Sequence, residues 1–208
     1  NTEHVLDFTK SACDDGADAV LVVTPYYNKA TQKGLITHFT TIADASTVPV
    51  ILYNVPGRTG CNLLPKTVAR LAEHERIVAI KEATGNMAQM VEIMHLCGDK
   101  LDVYSGEDAL TVPMMAMGGA GTISVLSNLV PAQMRQMTHG RIENTVKMNL
   151  HYLPLIHALF RQVSPIPVKA AAQMMGLCSD EVRLPLVPLN ESEKAFLKAE
   201  MEKAGIVC

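Results

Sequence analysis

Lys81 closes the apolar run Val78-Ala79-Ile80 and is followed by Glu82-Ala83-Thr84-Gly85-Asn86. An amine at the downstream end of a buried strand loses hydration, which favours its neutral, nucleophilic form, and a neutral amine attacks a ketone to form an imine. A lysine that merely ends a strand and reaches out to water is the plain alternative. Two further segments weigh against it. Tyr53-Asn54-Val55-Pro56-Gly57-Arg58-Thr59-Gly60 ends one apolar run with a phenol and a guanidinium, and Thr24-Pro25-Tyr26-Tyr27-Asn28 ends another. An arginine holds a carboxylate through two parallel hydrogen bonds, and a phenol shuttles a proton. Together with Lys81 these groups describe imine chemistry on a small keto acid. Taken singly, each has a quieter explanation: Tyr26 and Tyr27 as edge packing, and Arg58 as the partner of a carboxylate such as Glu82.

The elements that must position these groups recur regularly. Apolar runs at 19–24, 48–53, 78–80, 101–104 and 121–125 alternate with helical patterns, and the chain opens on a helix over 2–13. Asn86 is suited to cap a helix over 87–97, where Met87, Met90, Val91 and Met94 share one face; a shorter helix spans 64–74. That methionine stripe reads as core packing. Strand–helix alternation at this spacing predicts parallel strands joined by crossover helices, and in such folds the downstream strand ends converge on the active site. Gly106, in Ser-Gly-Glu-Asp, offers a close approach without a side chain at the next strand end. Gly118-Gly119-Ala120-Gly121 lies upstream of a strand and so lacks the context of a dinucleotide-binding turn.

Beyond Ser127 the pattern is helical only. Ile142, Val146, Leu150, Leu153, Ile156 and Phe160 follow one face of a long helix that Pro154 should kink, a further helical stretch covers 165–177, and Asn190 with Glu193 forms a capping box before Phe196, Leu197 and Met201, all expected inward. The chain therefore divides into an α/β part, 1–130, and a helical carboxyl-terminal domain, 131–208. Five βα units are compatible with an open doubly wound sheet, or with the downstream part of an eight-stranded barrel.

Composition narrows the function classes. The 208 residues are 48% hydrophobic and 19% charged, with a net charge of −3 and no basic or acidic run. There is no electrostatic footprint for nucleic acid or for an anionic membrane surface, and no stretch reads as a membrane span or a leader, so a cytoplasmic protein is expected. Cys13, Cys61, Cys97, Cys178 and Cys208 are scattered and never in C-x-x-C spacing, and the seven histidines lack ligand spacing. Reduced thiols and no metal site are expected.

Taken together, Thr24-Pro-Tyr-Tyr27-Asn, Tyr53-Asn-Val-Pro-Gly-Arg58-Thr-Gly, Ile80-Lys81-Glu-Ala-Thr-Gly-Asn, Ser105-Gly106-Glu-Asp and Gly121-Thr-Ile123-Ser closely resemble the dihydrodipicolinate synthase family. The resemblance runs to the final helix, and the arginine after Tyr-Asn-Val-Pro-Gly favours the synthase over a sialic acid lyase. It implies a (β/α)8 TIM barrel with a carboxyl-terminal helical domain, of which about five βα units are present here, three amino-terminal units lying outside the sequence. It further implies a lyase that condenses pyruvate with L-aspartate 4-semialdehyde in lysine (diaminopimelate) biosynthesis, a homo-oligomer built as a dimer of dimers. By the same resemblance Lys81 forms the Schiff base with pyruvate and Tyr53 relays protons. Tyr27 enters the site of a neighbouring subunit, Arg58 binds the carboxylate of the aldehyde, and Gly106 and the Ile123 carbonyl line the pyruvate pocket. The imine nitrogen is the electron sink, so no cofactor or metal is implied. Two readings stay open beside it: another pyruvate-dependent aldolase of the superfamily, and a non-catalytic remnant that binds a carboxylate.

Overall fold

The computed structural model describes residues 1–207. Its contacts divide into two compact units, residues 1–123 and residues 124 onward. The first unit is built on one sheet of five parallel strands in chain order: β1 (Val20–Val23), β2 (Val50–Asn54), β3 (Ile77–Glu82), β4 (Asp102–Ser105) and β5 (Gly121–Thr122). These elements also include the helices α1 (Thr2–Asp14), α2 (Gln32–Ala45), α3 (Pro56–Thr59), α4 (Pro65–Leu71), α5 (Met87–Cys97) and α6 (Thr111–Ala116).

Alternation sorts each strand into two faces. Val20, Val22, Val50, Leu52, Ile77, Ile80 and Val103 point into one apolar core with Leu35, Phe39 and Ile42 of α2, Val68 and Leu71 of α4, and Met90, Ile93 and Cys97 of α5. The opposite face is less buried and carries Val23, Tyr53, Lys81 and Tyr104, which are neighbours in register from β1 to β4. Helix α5 begins where expected because the Asn86 side chain accepts from the backbone N–H of Ala88 and Gln89. The expected fifth strand over 121–125 is shorter, since pairing stops at Thr122. The expected helix over 64–74 ends at Leu71.

The second unit is helical: α7 (Pro131–His139), α8 (Ile142–Leu159), α9 (Ile166–Met174) and α10 (Glu191–Lys203). Helix α8 runs unbroken through Pro154, and α10 opens on the reciprocal Asn190–Glu193 capping box. Two inward expectations are corrected. Phe196 is 40% exposed, with the Arg161 guanidinium over its ring. On α8 the first half of the predicted stripe, Ile142, Val146 and Leu150, is exposed, while Thr145, Asn149 and Tyr152 are buried. Neighbouring helices, and not apolar periodicity alone, choose which face is covered. Cys13, Cys61, Cys97 and Cys178 are free thiols, and Cys208 lies outside the described residues. Among the described residues no helix is long and apolar enough to cross a membrane.

Candidate active site

The orientation of Lys81 depends on an irregularity in β3. Val50 pairs with Ile77, but Ile51 pairs with Ala79, so Val78 has no partner residue on β2. Without that extra residue, Lys81 would stand opposite Asn54 and point into the helix layer. With it, Leu52 meets Ile80 and Tyr53 meets Lys81. A single inserted residue thus reverses the facing of everything downstream, which is how bulges re-aim side chains beside active sites.

Lys81 and Tyr53 touch. The amine lies over the phenol ring, 4.3 Å from its centroid. Burial is the main cause that lowers the Lys81 pKa below its ordinary value; the negative Asp108 opposes the shift and the positive Arg58 adds to it. Burial raises the Tyr53 pKa, against the pull of Arg58, so the phenol keeps its proton at neutral pH. The site therefore holds an amine biased toward its nucleophilic form next to a proton carrier. Gly106 closes over the lysine stem: a Cβ there would stand 2.6 Å from the Ala83 Cβ and 3.0 Å from the Lys81 Cε. Glycine leaves the path from backbone to amine open.

Arg58 sits on the single turn α3, started by Pro56 and ended by Gly60 in the left-handed conformation at φ 68°. Its charge reaches both Tyr53 and Lys81. The turn is tied to β1, since the Thr24 hydroxyl donates to the Thr59 hydroxyl at 3.2 Å and the Tyr27 N–H donates to the Thr59 carbonyl at 3.3 Å. Tyr27 itself is 93% exposed and held at φ 75°, a strained setting for a residue with a side chain, and it does not join Lys81 and Tyr53 within this chain. Ile123 follows β5 and donates its N–H to the Ser105 carbonyl at 2.8 Å, which places it beside the strand end that carries Gly106.

Glu82, considered from the sequence as a partner for Arg58, points instead to the helix side of the sheet. Its oxygens accept from the Thr84 N–H at 2.8 Å and the Asn54 side-chain amide at 3.1 Å. Sequence reasoning overlooked Asn54, although it shares strand parity with the buried Val50 and Leu52; the facing of Glu82 follows from the skipped pairing at Val78 and carried no such signal. Among the described residues no group of three or more histidines, cysteines or acidic side chains is placed to hold a metal ion.

The family model described as the dihydrodipicolinate synthetase family matches residues 1–204. The 4-hydroxy-tetrahydrodipicolinate synthase of Geobacter sulfurreducens is 52% identical over 211 aligned residues, covering 100% of this chain and 73% of that protein. Among solved structures, one described as the first monomeric dihydrodipicolinate synthase variant superposes with a TM-score of 0.96 at 40% identity, covering 100% of this chain and 72% of its own. The dihydrodipicolinate synthase of Acinetobacter baumannii, described as chloride-inhibited and complexed with pyruvate, gives 0.96 at 42% identity, with 100% and 72% covered.

Proposed function

The chain belongs to the dihydrodipicolinate synthetase family, and from that we propose that it condenses pyruvate with L-aspartate 4-semialdehyde through an imine on Lys81. Its fold is that of the family's (β/α)8 barrels, of which this chain carries five parallel strands, with the helical part following them in the chain. It is a 4-hydroxy-tetrahydrodipicolinate synthase, a lyase of lysine biosynthesis.

The reading is carried by one observation: a lysine whose charge is disfavoured by burial lies against a protonated tyrosine at paired strand positions. The neutral amine adds to the pyruvate ketone, and loss of water leaves the imine, with Tyr53 supplying and recovering protons. Loss of a methyl proton gives the enamine, whose carbon attacks the aldehyde of the second substrate. Ring closure by that substrate's own amine releases Lys81. Arg58 holds the aldehyde's carboxylate, and Gly106 with the Ile123 carbonyl borders the pyruvate. The imine nitrogen takes up the electron pair in the enamine step, so the chemistry needs no further cofactor.

Tyr27 acts in the site of a neighbouring subunit, within a dimer of dimers. Its exposure and strained backbone support this, because strain of that kind is retained where something outside the segment uses the side chain. As an amino-acid biosynthetic enzyme fed by pyruvate, it works in the cytoplasm.

The test is reductive trapping. Incubation of the enzyme with pyruvate and borohydride is expected to inactivate it and to add the reduced three-carbon unit to Lys81, read by peptide mass spectrometry. Modification at another lysine, or none, would overturn the assignment.

A further inference from the structure

Resting on the imine and carboxylate roles given above to Lys81 and Arg58, we propose that Asn54, Asn62, Glu82 and Gln89 form a positioning clamp that sets Arg58 relative to Lys81 and so governs the reaction of the second substrate.

The clamp lies behind the site. Asn54 and Glu82 directly follow Tyr53 and Lys81 and are register partners, so both point into the helix layer, where Asn54 is fully buried and Glu82 nearly so. The Asn54 carboxamide treats Leu63 as a strand would. Its oxygen accepts from the Leu63 N–H at 2.9 Å, and its nitrogen lies 3.3 Å from the Leu63 carbonyl. The same nitrogen donates to the Asn62 side-chain oxygen Oδ1 at 2.9 Å and to Glu82 Oε2 at 3.1 Å. Asn62 and Gln89 then pair reciprocally, Asn62 Nδ2 donating to Gln89 Oε1 at 2.8 Å and Gln89 Nε2 to Asn62 Oδ1 at 3.1 Å. Four segments meet here: the ends of β2 and β3, the first turn of α5, and the loop after Arg58.

Stability does not account for this arrangement. A carboxylate and three carboxamides in the layer between sheet and helices lose hydration, and apolar side chains of similar volume would pack there at no loss. What the polar groups supply is direction. The turn that carries Arg58 is four residues long and has no side-chain cap, so its place is set by what it is tied to: β1, through the bonds of Thr24 and Tyr27 to Thr59, and the chain on either side. β2 fixes the chain just upstream of the turn, and Asn54 fixes the loop that follows it at Leu63. Lys81 and Tyr53 need no such help, because ladder hydrogen bonds of the paired strands already fix their backbone. Loosening the clamp should therefore displace Arg58 and leave imine formation largely intact.

The experiment uses Asn62→Ala, Gln89→Met and the double variant in the purified enzyme. It follows imine formation with pyruvate by borohydride trapping, kcat/KM for L-aspartate 4-semialdehyde at saturating pyruvate, and thermal melting. Each single variant is expected to lower kcat/KM for the aldehyde about tenfold to a hundredfold, as ångström-scale misplacement of a binding group does, while trapping stays within about twofold of the parent. The double variant should be no worse than the poorer single one, because the two side chains act as one unit. Equal losses in both half-reactions, or no loss in either, would overturn the clamp. Absence of trapping on Lys81 in the unsubstituted enzyme would instead overturn the imine reading. Should Gln89→Met fail to fold, Asn62→Ala, at a half-buried position, decides the question by the same two rates.

Discussion

The Lys81 amine stands over the face of the Tyr53 ring, 4.3 Å from its centroid, at directly paired positions of β3 and β2. The ring's negative face attracts the protonated amine while burial disfavours it. Burial is the largest influence on the Lys81 pKa, ahead of the opposing charge of Asp108, and the net shift is downward. The neutral amine needed to attack a ketone is therefore accessible at lower pH than for a lysine in water.

That balance makes the pH dependence of imine formation predictable in sign. The trapping rate with pyruvate should rise with pH about a midpoint below the ordinary lysine value of about 10.4. Arg58 disfavours the cation and Asp108 favours it. Arg58→Gln is thus expected to move the midpoint up, and Asp108→Asn to move it down. Both are measured as trapping rate against pH; shifts of the same sign would show that these charges do not act on Lys81 directly.

Gly106 tests how tightly the lysine stem is enclosed. An added Cβ would meet the Ala83 Cβ at 2.6 Å, and neither carbon is a flexible side-chain end, so the backbone of one strand end has to move. Gly106→Ala is expected to cost about 1–3 kcal/mol in stability, in the range of overpacked cores. It should slow trapping at Lys81 by at least about tenfold through misplacement of the amine. A variant with parent-like trapping and melting would show that the strand ends yield freely.

Tyr27 is expected to work in trans. Preparations of Tyr27→Phe and Lys81→Ala, each inactive or nearly so, should regain synthase activity when mixed under conditions that exchange subunits. One site of each hybrid pair then receives an intact lysine from one chain and an intact tyrosine from the other. Hybrids that form, as shown by native mass spectrometry, yet remain inactive would place Tyr27 in its own chain's site.

Much of this molecule is legible in its sequence because the signals are local. The alternation of apolar runs with helical patterns predicts parallel strands, and the observed sheet has all five in chain order. The Asn86 cap and the Asn190–Glu193 box mark helix starts that the structure places at Met87 and Glu191, since a cap is satisfied within one turn. Lys81, Tyr53 and Arg58 stand out by chemical type at strand ends. What only the tertiary structure decided is direction. Period-two alternation cannot reveal that Val78 is skipped in pairing with β2, yet that skip turns Lys81 toward Tyr53 and Glu82 toward Asn54. The partner of Glu82 and the exposure of Phe196 and of the first half of the α8 stripe likewise depend on which distant segments arrive beside them. Such choices are sums over contacts between residues far apart in the chain, and no local pattern encodes them.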